Sequence, residues 1–161
     1  MKNNIDVEIC TFSLESCLNA QLAGASRVEL CSGMYDGGTT PSAAMIRMAR
    51  EKLSIQLYVM IRPRGGDFLY SDLEFEMMKE DIRFAKACWA DGVVLGILNA
   101  DGSVDVRRTR ELVELAAPLK VTFHRAIDMT RDMEEALEGI IEAGCYRVLT
   151  SGGRNLSLIH I

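Results

Sequence analysis

Two short segments of the chain each carry a carboxylate and a thiol at the same spacing. Glu8 and Cys10 lie two residues apart, as do Glu29 and Cys31, within the related sequences Val-Glu-Ile-Cys and Val-Glu-Leu-Cys. Because side chains two positions apart on a β-strand point to the same face, each pair occupies one face of its segment. If the segments are neighbouring strands, the pairs lie about 5 Å apart. The sequence therefore predicts a patch of two carboxylates and two thiols.

This patch suits two kinds of chemistry. Cu(I) prefers thiolate ligands, so Cys10 and Cys31 are candidate metal ligands. Carboxylates whose pKa is tuned by neighbouring groups act as general acids or bases, which makes Glu8 and Glu29 candidate catalytic residues. Two structural alternatives stay open: the carboxylates neutralise Arg62 or Arg125 inside the protein, and the thiols are small buried side chains.

Basic and hydroxyl side chains follow three other apolar segments. Guanidinium groups match the geometry of carboxylates and phosphates, and small donors beside glycines can surround an anion. We therefore predict a binding site for a small anionic or sugar-like ligand, formed by Arg62, Arg64, Arg125, Thr150 and Ser151. His124 is a third acid–base candidate, or alternatively a satisfied buried imidazole.

Six short apolar segments, each followed by a chain length suited to a helix, must position these side chains. Runs of Val, Ile and Leu of this length indicate strands that are buried on both faces, as in a parallel sheet. Their succession is typical of consecutive βα units. The predicted strands are Ile5–Cys10, Arg27–Cys31, Gln56–Ile61, Gly92–Leu98, Lys120–Phe123 and Arg147–Thr150.

Helical periodicity marks the segments between the strands. In the longest helix we expect one buried stripe along Leu73, Met77, Met78, Ile82, Ala85 and Cys88. The predicted helices are Ser13–Leu22, Ser42–Leu53, Ser71–Trp89, Asp105–Ala117 and Asp132–Ala143.

Two α/β architectures accommodate this order of elements. A doubly wound sheet would be complete at 161 residues, but no G-x-G-x-x-G motif follows the first strand. Polar residues at many strand ends favour a (β/α)₈ TIM-type barrel, whose active face gathers those ends. A full barrel takes about 250 residues. The sequence therefore predicts about six of the eight βα units.

Composition excludes several classes of protein. With 48% hydrophobic and 25% charged residues, the chain has the balance of a globular domain. A net charge of −5 argues against a nucleic-acid partner. No apolar run approaches the roughly 20 residues that span a bilayer, and no signal peptide is recognisable. Five cysteines without a C-x-x-C pair argue against a disulfide framework. We expect a cytoplasmic protein without a membrane partner.

The segments that carry the candidate residues resemble the CutC copper-homeostasis family. The most specific are MIRPRGGDFLY (Met60–Tyr70) and TFHRAID (Thr122–Asp128), and the similarity runs from about Val7 to Gly152. The resemblance implies a (β/α)₈ barrel, a cytoplasmic location, homo-oligomers of the full-length protein and Cu(I) binding. Cys10 and Cys31 are the positions that look like the family's suggested copper ligands.

The end of the sequence departs from this resemblance. A full member of the family continues through two further βα units, whereas this chain ends in Leu-Ser-Leu-Ile-His-Ile, which resembles a translated sequencing adapter. We expect an incomplete barrel over residues 1–155 and a non-native tail over residues 156–161, so His160 is assigned no role. The alternative to a copper protein is a barrel enzyme acting on a small anionic or sugar-like substrate through Glu8, Glu29 or His124.

Overall fold

Six parallel strands form one sheet in chain order. The computed structural model describes residues 5–153, and each strand there pairs with the next one along the sequence. A doubly wound sheet reverses its strand order at a switch point, so this order excludes it. The strands are β1 (Glu8–Thr11), β2 (Arg27–Leu30), β3 (Gln56–Met60), β4 (Gly92–Leu95), β5 (Lys120–Phe123) and β6 (Arg147–Val148).

The sheet curls into a partial TIM-type barrel. Arg147 of β6 reaches Glu8 of β1, with its Nη2 atom 3.1 Å from the carboxylate, although these strands stand at opposite ends of the strand order. The predicted α/β fold class, a TIM-type barrel with about six of its eight units, is therefore confirmed by six strands and five helices in the described residues. The expected domain boundary at residue 155 and the tail at 156–161 lie outside the described residues.

Five helices follow β1 to β5, and each begins directly after a capping side chain. The helices are α1 (Leu14–Leu22), α2 (Ala43–Lys52), α3 (Asp72–Ala87), α4 (Val106–Ala116) and α5 (Met133–Glu142). Ser13, Ser42, Ser71, Asp105 and Asp132 accept hydrogen bonds from first-turn backbone N–H groups. Such caps contribute about 1 kcal/mol each, which explains why the predicted helix starts agree closely with the structure.

The alternation of side chains along each strand separates two environments. On β2, Val28 and Leu30 join the large apolar cluster between the sheet and the helices. Cys31, just after the strand, instead packs with Tyr58 and Met60 in a small cluster on the opposite, interior face. Glu29 shares that interior face because it lies two residues before Cys31.

One local prediction is wrong, and two short elements were missed. Leu73 and Met77 of α3 are 79% and 54% exposed, because the buried stripe starts from Phe75 and continues through Met78 and Ile82. No sequence pattern indicated two 3₁₀ helices, Met34–Asp36 and Arg125–Met129, which lie in the loops after β2 and β5.

Within the described residues, no helix combines the length and apolar character that crossing a bilayer requires.

Candidate metal centre and adjoining cavity

The carboxyl ends of β1 and β2 bring two thiols together. Cys10 lies opposite Glu29 in the strand register, and the Cys10 and Cys31 sulfurs are 3.8 Å apart. The Cys31 thiol donates to Glu29 Oε1 at 3.5 Å. Both sulfurs and one Glu29 oxygen lie within 4.8 Å of one another. The two Val-Glu-x-Cys segments thus place these three groups at one point, as the period of two requires.

Charged forms are disfavoured in this cluster. The hydrogen bond with Cys10, followed by burial and the charge of Glu29, raises the pKa of the Cys31 thiol. Burial, and then the nearby charge of Glu8, raises the pKa of the Glu29 carboxyl. A cation at this point would therefore replace protons that the cluster otherwise retains.

Glu8 belongs to a different layer of the barrel interior. Its Oε2 atom accepts hydrogen bonds from Arg27 Nε at 2.6 Å and from Arg147 Nη2 at 3.1 Å. The Arg147 guanidinium also lies 4.7 Å from the Tyr58 ring centroid. Sequence reasoning sought the arginine partner in Arg62 or Arg125 and missed Arg27 and Arg147. Both open a strand, and Arg27 is the register partner of Glu8. The sequence prediction had instead set the Glu8–Cys10 pair beside the Glu29–Cys31 pair.

Arg62 lies beyond the end of β3, and its side chain holds two loops. Its Nη1 atom donates to the carbonyls of Asp36 (2.6 Å) and Gly38 (2.8 Å), and Nη2 donates to the Gly66 carbonyl (2.9 Å). The guanidinium stacks 4.9 Å from the Phe68 ring centroid. Residue 62 is 5% exposed, and its Nε atom is buried without a partner in the described part of the chain.

His124 follows β5 directly and is buried. Its Nδ1 atom accepts a hydrogen bond from the Ala126 backbone N–H at 3.2 Å, whereas Nε2 has no partner among residues 5–153. Burial, assisted by the positive charge of Arg62, lowers the pKa of His124 to about 3. The imidazole is therefore neutral at physiological pH. Gly96 makes room for it, because a Cβ atom there would lie 2.6 Å from the ring.

The donors after β6 surround a carboxylate of the protein itself. Asp128 accepts hydrogen bonds from Thr150 Oγ1 at 2.6 Å, Ser151 N at 3.0 Å and Gly153 N at 3.0 Å. Arg125 Nε donates to the same carboxylate at 3.0 Å. Burial would raise the pKa of Asp128, but these hydrogen bonds outweigh it and hold the pKa well below its usual range.

Sequence reasoning passed over Asp128 as a partner for these donors. Asp128 lies three residues after Arg125, but this spacing brings the two side chains together only on a helical turn, and no sequence pattern indicated one there. Arg64, also predicted to bind the anion, is engaged by Glu74 (2.6 Å) and Asp67 (3.1 Å).

A cavity of about 690 Å³ opens beside the thiol cluster. This volume is in the range of small-molecule sites. Five of the ten predicted site residues line it: Cys10, Glu29, Arg62, His124 and Arg125. The other five do not: Glu8, Cys31, Arg64, Thr150 and Ser151. Apolar side chains supply much of the remaining wall: Phe12, Met34, Met60, Phe68, Met129 and Leu149.

Comparison with known sequences finds one family. The family model described as the CutC family matches residues 5–159. A family protein CutC from Chromobacterium violaceum is 58% identical over 146 residues, covering 91% of this chain and 59% of the relative. The mouse and human proteins, each named copper homeostasis protein cutC homolog, are 53% and 51% identical, covering 93% of this chain and 55% of each relative. The chain thus spans little more than half the length of these relatives.

Comparison with solved structures supports the same fold. A CutC protein from Streptococcus agalactiae superposes with a TM-score of 0.88 at 37% identity, covering 94% of this chain and 74% of that one. An aldolase superposes with a TM-score of 0.64 at 19% identity, covering 95% of this chain and 71% of that one. The aldolase shares the barrel architecture alone.

Proposed function

Because the chain belongs to the CutC family, we propose that it serves copper homeostasis by holding Cu(I) between the Cys10 and Cys31 thiolates. The observation that carries the proposal is the 3.8 Å separation of the two sulfurs at the ends of neighbouring strands. Two relatives carry copper homeostasis in their names. As the resemblance implies, we propose a cytoplasmic protein that forms homo-oligomers at full length, with the copper ion as its cargo.

The donor set suits a soft monovalent metal. Thiolates are the ligands that Cu(I) prefers, whereas a carboxylate is a hard ligand. Glu29 is therefore assigned to orienting the Cys31 thiol, which it contacts at 3.5 Å, rather than to binding copper. Cys17, Cys88 and Cys145 are also free thiols but lie outside the cluster.

Three of the residues proposed for the enzyme alternative have contacts that do not favour it. Glu8 is neutralised by Arg27 and Arg147, and Thr150 and Ser151 donate to Asp128. These groups are already engaged within the protein, so they offer a substrate little that is free to bind or to exchange a proton.

Anaerobic titration with Cu(I) against a chromophoric competitor tests the copper site. Removing hydrogen-bond partners of metal ligands costs about 10–100-fold in affinity, so removing both ligands should cost more than about 100-fold. We expect that loss in the Cys10→Ser, Cys31→Ser double variant. The matched control is Cys88→Ser, which removes a thiol outside the cluster and should bind as the unaltered protein does. Equal affinity of the double variant and the control would refute the assignment.

A further inference from the structure

We propose that the cavity beside the thiols binds a small organic monocarboxylate through Arg62 and His124. The evidence is a concentration of buried polar atoms that lack partners. In the described part of the chain five side-chain atoms are in this state, and three of them belong to cavity-lining residues: Glu29 Oε2, Arg62 Nε and His124 Nε2. Buried polar groups are normally hydrogen-bonded, so such a group at a cavity wall points to a ligand. The proposal does not depend on copper.

The buried positive charge of Arg62 requires a negatively charged partner. The guanidinium is almost fully buried, yet its partners are the neutral carbonyls of Asp36, Gly38 and Gly66. Among residues 5–153 no carboxylate oxygen forms an ion pair with it, in contrast to Arg64 two residues later, which pairs with Glu74. A buried charge without a counter-ion is costly. A ligand carboxylate would supply that counter-ion.

His124 adds a neutral donor on the same cavity. Because its Nδ1 atom accepts from the Ala126 N–H, the ring proton must lie on Nε2, and this N–H group has no partner in the described residues. The Phe68 ring connects the two groups, since its centroid is 4.9 Å from both the Arg62 guanidinium carbon and the His124 ring centroid. One charged group and one N–H donor thus flank a single aromatic wall.

The rest of the wall sets the class of ligand. Met60, Phe68 and Leu149 are among the apolar side chains that line the cavity, and they favour a ligand with an apolar body. The other arginine on the wall, Arg125, is already paired with Asp128. One unpaired positive charge suits a carboxylate monoanion better than a phosphate dianion, which needs more charge and more donors.

Calorimetric titration of the metal-free, reduced 161-residue protein tests the proposal, with benzoate as the probe. Benzamide has the same shape without the charge, and inorganic phosphate tests the competing class of anion. We expect benzoate to bind at least about tenfold more tightly than either, as a charge-assisted hydrogen bond warrants. Arg62→Met should weaken benzoate at least about tenfold. The matched control Arg64→Met should leave it within about twofold.

Because Arg62→Met also removes the hydrogen bonds that Arg62 donates to two loops, a second measurement uses the unaltered protein. Imidazole ¹⁵N NMR of the unaltered protein should show the His124 Nε2–H signal moving with benzoate and staying in place with benzamide. The other histidine signal is assigned with His160→Asn. The proposal is overturned by equal binding of benzoate and benzamide, by tighter binding of phosphate, by a folded Arg62→Met variant with unchanged affinity, or by a His124 signal that benzoate leaves unmoved.

Discussion

Two clusters at the carboxyl ends of the strands differ in whether their polar groups are satisfied. Beyond β6, the donors of Thr150, Ser151 and Gly153 all point to Asp128. Beyond β3 and β5, Arg62 and His124 each keep a buried polar atom without a partner in the described residues. Both clusters have the residue types of an anion site. The first is filled by a carboxylate of the chain itself, and the second is left for a ligand.

The difference shows that the same residue types can serve either structure or binding at the strand ends of a barrel. Strand ends gather polar side chains whether or not a ligand binds there. In a structural cluster the donors and acceptors satisfy one another, whereas a binding cluster has donors without partners in residues that line a cavity. If this distinction is correct, changes in the Asp128 cluster should alter stability, and changes around the thiols and His124 should alter binding.

The largest expected effect is a loss of stability when the carboxylate of the Asp128 cluster is removed. Asp128→Ala removes the acceptor that Arg125 Nε and the donors after β6 share. The Asp128 side chain is only 4% exposed, and the loss of charge-assisted hydrogen bonds to such a carboxylate costs about 3 kcal/mol. Urea denaturation should show that loss in the free energy of unfolding. The matched control is Asp101→Ala, because the Asp101 side chain is 56% exposed in its ion pair with Arg131, and it should cost less than about 1 kcal/mol. Equal losses would contradict the comparison.

The next effect comes from filling the space beside His124. A methyl group at Gly96 would lie 2.6 Å from the imidazole ring, and overpacking of this kind costs about 1–3 kcal/mol. We expect Gly96→Ala to lower the free energy of unfolding by about 2 kcal/mol. His124→Ala in the same chain should remove most of that added cost, which a double-mutant cycle measures. Strict additivity would show that the ring is not what the methyl group meets.

Much of the fold follows from local sequence patterns, which explains why it was predictable. The period-two pattern around Glu29 and Cys31 fixes which face of β2 carries chemistry, and the capping residues such as Ser71 fix where helices begin. The pairing of Glu8 with Arg147 was not predictable in this way. It joins β1 to β6 and depends on how far the sheet curls, which no local pattern specifies.

That Asp128 accepts the hydrogen bonds of the donors after β6 could not be predicted for a related reason. The local sequence around Thr150 and Ser151 is the same whether these residues surround a ligand or Asp128. Only the path of the 3₁₀ helix Arg125–Met129 brings that carboxylate to them. The thiol cluster was predictable because the two Val-Glu-x-Cys segments form consecutive strands, which brings both cysteines to the carboxyl ends of neighbouring strands.

The Asp128 cluster should also make the stability of the protein depend on pH. The pKa of Asp128 is lowered in the folded protein relative to about 3.9 in the unfolded chain. Its contribution is therefore fully present above about pH 4 and is lost as the pH falls below that value. Asp128→Asn removes the titrating group, so the stability of the variant should fall less as the pH is lowered. The difference in unfolding free energy between the variant and the unaltered protein should therefore shrink by about 1–2 kcal/mol between pH 6 and pH 3. A constant difference across that range would mean that the Asp128 carboxylate is not the group whose protonation weakens the fold.

The smallest effect concerns the thiol cluster and tests the charge of Glu29. Besides the hydrogen bond with Cys10, that charge and the hydrogen bond from the Cys31 S–H group to Glu29 both raise the pKa of the Cys31 thiol, whereas Cu(I) binds the thiolate. Glu29→Gln removes the charge and keeps an acceptor oxygen, so it should strengthen Cu(I) binding by up to about tenfold, the equivalent of one pKa unit, in anaerobic competition titrations. Glu15→Ala on α1 is the control and should bind as the unaltered protein does. A Glu29→Gln variant that binds Cu(I) more weakly than the unaltered protein would mean that the carboxylate supports the bound copper and not the protonated thiol.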